Sequence, residues 1–376
     1  MLLLDRFVVG RFLGSFVLLF GILFLLAVSL DVILQIDEFV DAAKRAMETG
    51  RYETLAGAIS MAVLNFHGPR FFQFYGFMLG LTSVAALGFT LASMVKHREL
   101  VALMSAGVGL VRVGLAIILG AFALNLLGLV NSEVLVPRLA PLLLREHNSI
   151  LAAGVREYEV PLTRDAANAL LRASSFDPKQ GRLRGVLIIR RDEAGRASER
   201  ITAAAATYEE DARGWRLEGG ESIVIRAGDE PVATGDRAMQ ERRAAEFFES
   251  DLSPKTLLVR RSAQYSQMLS LAEIAALRQG SGPEADVLAR AYYGRFAQIA
   301  VNLLILVIAL PCFLLREPRP LLGSSVQAAV IAVPGILGSI AIMTIEVPGL
   351  PPALSTFLPA AILLPVAVAR LVWLRT

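Results

Sequence analysis

Glu99 is the one acidic residue in the stretch Lys96-His97-Arg98-Glu99-Leu100-Val101-Ala102-Leu103-Met104-Ser105-Ala106-Gly107-Val108-Gly109, which lies between two long apolar runs and is followed by Arg112. Helical spacing from about Arg98 puts Leu100, Leu103, Met104 and later Val111 on one side and turns Glu99, Ala102 and Ser105 elsewhere. Gly107 and Gly109 mark the end of this helix. It is too short to cross a bilayer, and one carboxylate among small residues suits docking into another protein's groove. A plain interfacial connector between two membrane helices has the same spacing. The chemistry expected here is force transfer, with Arg98, Glu99, Leu100, Leu103, Met104 and Gly107 as the candidate coupling residues.

Groups that carry bond-making chemistry are scarce. His67, His97 and His147 are scattered, Cys312 is the single cysteine, and neither an HExxH pattern nor a Gly-x-Ser-x-Gly elbow occurs. None of the four lysines, Lys44, Lys96, Lys179 and Lys255, follows a glycine in a phosphate-loop pattern. No metal, cofactor or own ATPase motif is expected, so if ATP drives the protein, another chain supplies the ATPase.

The elements that must position the segment follow from composition. The chain has 376 residues, 55% of them hydrophobic, and a mean hydropathy of +0.56, too apolar for an ordinary soluble protein. Charge-free runs at 12–30, 71–95, 113–132, 296–315, 320–345 and 347–369 each reach the roughly 20 residues that cross a hydrocarbon core about 30 Å thick. Six transmembrane helices are predicted. Arg6, Arg11, Lys96, Arg98, Arg112, Arg316, Arg319, Arg370 and Arg375 fall on one set of flanks, and Asp31, Asp37, Glu38, Asp41 and Glu346 on the other. By the positive-inside rule both termini are cytoplasmic. The first run lacks a cleavage site and reads as a retained span. The net charge of +3 fits basic membrane flanks, and no clustered basic and aromatic surface points to nucleic acid. Asn125 and Asn302 are the conspicuous deep polar residues, each expected to make an interhelical hydrogen bond, and Pro311 and Pro334 are candidate kinks.

Along the chain, residues 37–41 continue a helical pattern beyond the first span. The run at 55–64 is too short to cross and is expected to lie at the interface or pack on the next helix, which Pro69 begins. Residues 133–290 contain no spanning run, carry many charges and are punctuated by Gly and Pro, which predicts a soluble domain inserted on the non-cytoplasmic side. Alternation at 185–190, 215–218 and 222–226, with turns at 192–195 and 219–220, predicts an antiparallel β unit. Residues 161–172 read as a short helix. Ser270-Leu271-Ala272-Glu273 reads as a capping box opening another, ended by Gly280 and Gly282, and 284–295 as a helix running into the fourth span. The domains predicted are 1–132 with three spans and the coupling helix near 97–109, a β-rich domain at 133–290, and three further spans at 291–376.

Leu4-Asp5-Arg6-Phe7, the run from Arg98 to Gly107 with Arg112, Pro137, Asp251-Leu252-Ser253-Pro254-Lys255 and the stretch 271–280 together resemble the lipopolysaccharide-export permeases of the LptF/LptG type. The resemblance implies six membrane helices, an inserted periplasmic β-jellyroll-like domain in the bacterial inner membrane, and a transport subunit rather than an enzyme. It implies as partners a cytoplasmic LptB-like ABC ATPase dimer met through Glu99, a second LptF/LptG-type permease, a periplasmic LptC/LptA-like β-jellyroll protein, and lipopolysaccharide among membrane lipid. The lateral gate of the family maps onto 12–34 and 324–345. The chain departs from the pattern in carrying Asp31, Gln35 and Asp37 where members often have a basic residue, and Phe72-Gln73-Phe74-Tyr75 where relatives tend to show a proline. Arg70, Arg138, Arg290 and Arg295 are the candidate contacts for lipid phosphate, with snorkelling to ordinary headgroups as the alternative. A mechanotransmitting ABC membrane protein and a scaffold whose outer domain binds a partner are the other classes compatible with these features.

Overall fold

The computed structural model describes residues 3–48, 50, 52–145, 157–178, 180–192, 196–225, 242–261, 263–277, 285–314, 321–345 and 349–373. The turn residues 193–195, Gly280, Gly282, Arg316 and Arg319, on which some expectations rest, lie outside them. The chain divides into two compact units: Met1–Leu139 with Leu269–Leu271 and Ala289–Thr376, and Ala140–Met268 with Ala272–Leu288.

The first unit is helical. Helix α1 (Leu3–Leu34) buries Val8, Phe12, Phe16 and Phe20, one residue per turn along a single stripe. Helix α2 (Ile36–Glu48) buries Phe39, Ala42, Ala43 and Ala46, an amphipathic pattern matching the expected helical continuation. Helix α3 (Leu55–Lys96) is one helix of 42 residues, opened by Thr54, whose side chain accepts from the Gly57 N–H. The run at 55–64 is therefore part of the second span's own helix, and Pro69 lies inside it instead of starting it. Packing explains the continuity. Phe66 meets Phe39 of α2 edge to face at 5.7 Å, the His67 ring stacks on Phe39 at 5.9 Å, and Arg70 Nη1 donates to the Phe66 carbonyl at 2.9 Å next to the break in the ladder. These contacts offset the hydrogen bond that proline removes. Farther along, Phe20 and Phe24 of α1 pack against Phe71 and Phe74 of α3. Helix α4 (Glu99–Ser105) leads to α5 (Leu110–Val130), a π-helical turn (Asn131–Leu135) and α6 (Val136–Leu143).

The second unit is an antiparallel sheet. Strands β1 (Tyr158–Arg164), β2 (Leu170–Asp177), β3 (Arg182–Arg191), β4 (Ala197–Glu209), β5 (Gly214–Glu218), β6 (Glu221–Val224), β7 (Arg242–Ala244) and β8 (Phe247–Glu249) form one sheet in the order β1-β2-β3-β4-β5-β8, with β6 pairing β4 and β7. Residues 205–209 of β4 pair with β5 and residues 199–202 with β6. β5 and β6 are thus one strand bent at Gly219 and Gly220. Gly219 has φ +65, and a Cβ on Gly220 would meet the Ala245 carbonyl oxygen at 2.0 Å, so only glycine turns this corner. Trp215, Phe176 and Phe248 are fully or almost fully buried, and Trp215 Nε1 donates to the Leu252 carbonyl at 2.9 Å. The helix expected at 161–172 is instead β1, a turn and β2. Asp165 Oδ1 accepts from the Ala169 N–H at 2.7 Å, Asn168 takes the left-handed conformation at φ 65, and Pro161 sits on an edge strand next to register shifts, where its missing donor is tolerated. Helix α7 (Pro254–Arg261) starts with proline in its first turn, and Ser253 Oγ accepts from the Thr256 N–H at 3.1 Å. Helices α8 (Ala263–Met268) and α9 (Leu271–Leu277) follow, α9 beginning where the capping box predicts.

Helix α10 (Ala285–Ala309) runs without interruption into the fourth span, ended by a tight 3-10 turn at Leu310–Cys312 that contains Pro311. Pro334 lies inside α11 (Leu321–Thr344), and α12 (Pro352–Trp373) completes the helical unit. Among the described residues six helices are long and apolar enough to cross a membrane, at the places the charge-free runs predict. Asn302 Nδ2 donates to Asn125 Oδ1 at 3.0 Å, and Gln298 Nε2 donates to Asn302 Oδ1 at 2.8 Å. Each asparagine makes the interhelical hydrogen bond expected of it, and the two make it with each other, joining the third and fourth spans. Gly80 of α3 makes room for it, since a Cβ there would lie 2.4 Å from Asn302 Oδ1.

Candidate coupling site

The two ends of α4 are built differently. At its start Arg98 adopts the left-handed conformation, φ 58 and ψ 15, to reverse the chain between α3 and α4. That conformation is unfavourable for a side chain bearing a Cβ by about 1 kcal/mol. At its end Gly107, with φ +77, closes a Schellman motif. Val108 N–H donates to the Leu103 carbonyl and Gly107 N–H to the Met104 carbonyl, both at 3.0 Å. The helix is one residue shorter at its start than the spacing predicts, because Arg98 turns the chain.

Leu100 is buried and belongs to the same apolar cluster as Val8, Phe12, Leu91, Met94 and Val113. Leu103 packs against that cluster, Met104 is half-buried, and Val101 is 57% exposed beside exposed Ala102 and Ser105. The predicted apolar face is inward, and a small-residue face is outward.

One ion pair ties this helix to α1, and a second ties the start of α5 to α1. Arg11 Nη1 donates to Glu99 Oε2 in an ion pair whose side chains are 33% and 27% exposed. Arg112, in the first turn of α5, places Nε 3.4 Å from Asp5 Oδ1. Arg11 and Arg112 stand among the basic flanks of one side, and spacing does not pair them with Glu99 and Asp5. The available signal was scarcity, because Asp5 and Glu99 are the only acids in 1–11 and 96–112.

The four arginines proposed for lipid phosphate occupy three helices. Arg70 on α3 lies 3.4 Å over the Phe66 ring as well as donating to its carbonyl. Arg138 on α6 is exposed and Arg290 on α10 is half-buried. Arg295, also on α10, is 10% exposed and pairs with Glu133 Oε1, and it donates to the Leu269 carbonyl. The other oxygen of Glu133 accepts from the Leu271 N–H at 2.8 Å. Glu133 lies in the π-helical turn, a local widening often found where a helix carries a functional residue. Charge patterning alone did not single it out.

No curated protein matches the chain. The family model described as "Lipopolysaccharide export system permease LptF/LptG" matches residues 61–373, well over half of the chain, so Asp5 and Arg11 precede the match while α4, the sheet and Arg295 lie within it.

Proposed function

Since the chain belongs to the LptF/LptG family of lipopolysaccharide export system permeases, we propose that it is the permease subunit of an ABC-type exporter that extracts lipopolysaccharide from the bacterial inner membrane and passes it to a periplasmic β-jellyroll bridge. It is a multi-pass membrane protein. In this reading residues 1–132 and 291–376 form the membrane domain with cytoplasmic termini, and 133–290 form the periplasmic domain. A second LptF/LptG-type permease completes the cavity. A separate LptB-like ATPase dimer supplies the energy.

The observation that carries the reading is α4 itself, a short helix between the second and third spans with its leucines inward and Val101, Ala102 and Ser105 outward. ATP-driven closure of the ATPases pushes this helix and narrows the cavity between the paired permeases, and the lipid leaves towards the periplasmic domain. Apolar packing around acyl chains supplies most of the lipid's binding energy, which suits the exposed aliphatic side chains Leu25 and Ile33 of α1 and Val330 and Leu337 of α11. Lipid phosphates fall to Arg70, Arg138, Arg290 and Arg295. Because Arg70 and Arg295 also donate within the chain, the exposed Arg138 makes the first contact.

Co-purification of the tagged chain from native membranes tests the reading, with Glu99→Lys and Val101→Arg as variants. An ABC ATPase that accompanies the wild type and is lost from both folded variants is the expected result. Val101→Arg charges the outer face while leaving the Arg11–Glu99 pair intact. An ATPase stimulated only by a protein partner would indicate mechanotransmission, and no ATPase with the wild type would leave a scaffold.

A further inference from the structure

We propose that the first turns of α1 are part of the coupling element, and that the Arg11–Glu99 and Asp5–Arg112 ion pairs deliver displacement of α4 to α1. This rests on the export reading above and goes beyond it by naming the receiving helix and the residues that hold it. Arg11, Asp5 and Arg112 are positioning residues in this scheme.

The two pairs bracket α4. Glu99 is its first residue, and Arg112 follows its Schellman end at the start of α5. Their polarity is crossed, since α1 contributes the cation to one pair and the anion to the other. A slip of α1 along its own axis would therefore bring unlike partners apart and like charges nearer, so the pairs define register as well as attraction.

An apolar seam lies along the same end of α1. Val8 and Phe12 are fully buried in the cluster that also holds Leu100 and Val113. Gly120 of α5 approaches so closely that an added Cβ would meet the Phe12 ring at 3.0 Å. Beyond Phe20 no described residue of α1 is buried, and Ile22, Leu25, Leu26, Leu30 and Ile33 are exposed. The contacts found there are lighter: the Phe24 ring against Phe71 and Phe74, and Asp31 Oδ2 at 3.4 Å from His67 Nε2. A helix gripped at one end and lightly held at the other turns a push at the grip into movement of the far half. That far half is the segment the family resemblance assigns to the lateral gate.

The magnitudes favour transmission over support. Pairs exposed to this degree contribute little to stability, far less than the buried seam beside them. Their value lies in direction, because a lateral force on Glu99 reaches Arg11 without passing through the length of α3 or α5.

The test uses the full permease with its co-purified ATPase in proteoliposomes, with a photocrosslinkable lipopolysaccharide as probe and lipid transferred per ATP hydrolysed as the readout. Arg11→Gln leaves Glu99 in place, and Asp5→Arg is examined alone and together with Arg112→Asp. The expected result is that Arg11→Gln and Asp5→Arg retain the ATPase while transfer per ATP falls at least about fivefold, the scale of a typical coupling energy. The paired exchange Asp5→Arg with Arg112→Asp restores transfer to within about twofold of the wild type. Unchanged transfer per ATP in both single variants overturns the proposal. So does loss of the ATPase from Arg11→Gln, which would assign Arg11 to presenting Glu99 to the partner. A wild type that captures no ATPase removes the export reading and this inference together. If a single variant fails to fold, the paired exchange decides: a folded exchange with transfer still reduced overturns the proposal.

Discussion

Among the described residues of the helical unit, the Arg–Glu pairs Arg11–Glu99 and Arg295–Glu133 share a chemistry and differ in setting. Arg11–Glu99 joins two helices at the α4 end, each side chain about a third exposed, and its guanidinium also lies 5.1 Å from the Phe7 ring. Arg295–Glu133, beyond the other end of α5, is caged: Arg295 also donates to a carbonyl, and Glu133 also accepts from an N–H. Water screens the first pair and lets it yield. The second differs on its cationic side: Arg295 is 10% exposed against 33% for Arg11, while Glu133 and Glu99 are exposed alike at 25% and 27%, so it is Arg295 that would be left a nearly buried charge without its partner. An ion pair's role is thus set by what else surrounds its atoms.

Removing one partner from each pair gives the largest expected contrast. Glu133→Ala leaves Arg295 with the Leu269 carbonyl but without its carboxylate and should destabilise the protein by about 1–3 kcal/mol, the scale for removing one partner of a largely desolvated polar contact, seen as a lower midpoint in thermal unfolding in detergent. Glu99→Ala should change the same midpoint by less than about 1 kcal/mol. Equal shifts would erase the distinction between the two settings.

A backbone change sharpens the contrast at the yielding end. Arg98→Gly relieves the left-handed turn before Glu99 and should raise stability by up to about 1 kcal/mol, measured in the same assay. A loss of that size would mean that the Arg98 side chain contributes more than its conformation takes away.

A third carboxylate, Asp165, is held by an N–H and a hydroxyl and has another carboxylate as its neighbour. Burial, and secondarily the neighbouring Asp251, push the Asp165 carboxyl up, against acceptor bonds from the Ala169 N–H and Ser250. A folded-state value above the unfolded one of about 3.9 means that the native state holds this proton more tightly. The site's contribution to stability is then greatest below the unfolded value and declines as pH rises through the folded one. Hydrogen exchange at the β1–β2 turn, corrected for intrinsic rates, should show protection falling as pH rises from the unfolded carboxylate value of about 3.9, and Asp165→Asn should flatten the trend. Protection that rises with pH in the wild type would contradict this assignment.

Much of this was legible in the sequence because hydrophobic periodicity and charge scarcity are local. The six spans, the inserted charged domain and the inward face of α4 follow from runs and spacings, and so does the need of Asn125 and Asn302 for a hydrogen-bond partner, though not that each is the other's. The sheet was legible only where apolar residues alternate, as in β3. β4 carries Ala203, Ala204, Ala205 and Ala206 in a row, residues whose own preference is helical, and its strand state comes from pairing with β3 on one side and β5 and β6 on the other. Pro69 misled for the converse reason: tertiary contacts from α2 sustain a helix that local chemistry would interrupt. Partner choice among charges was illegible because Arg11 and Glu99 are 88 positions apart, and nothing in their spacing says which cation meets which anion.

The continuous helix α3 sets a tolerance. Its 42 residues reach about 63 Å at the usual rise, about twice a hydrocarbon core of roughly 30 Å. Its first third is sheathed by α2, and residues 55–64 are themselves moderately apolar. A bilayer a few ångströms thicker would reach Arg70 first, whose guanidinium lies over the Phe66 ring, so mismatch would be met at the α2 end. The end that carries α4 would keep its depth as membrane thickness varies.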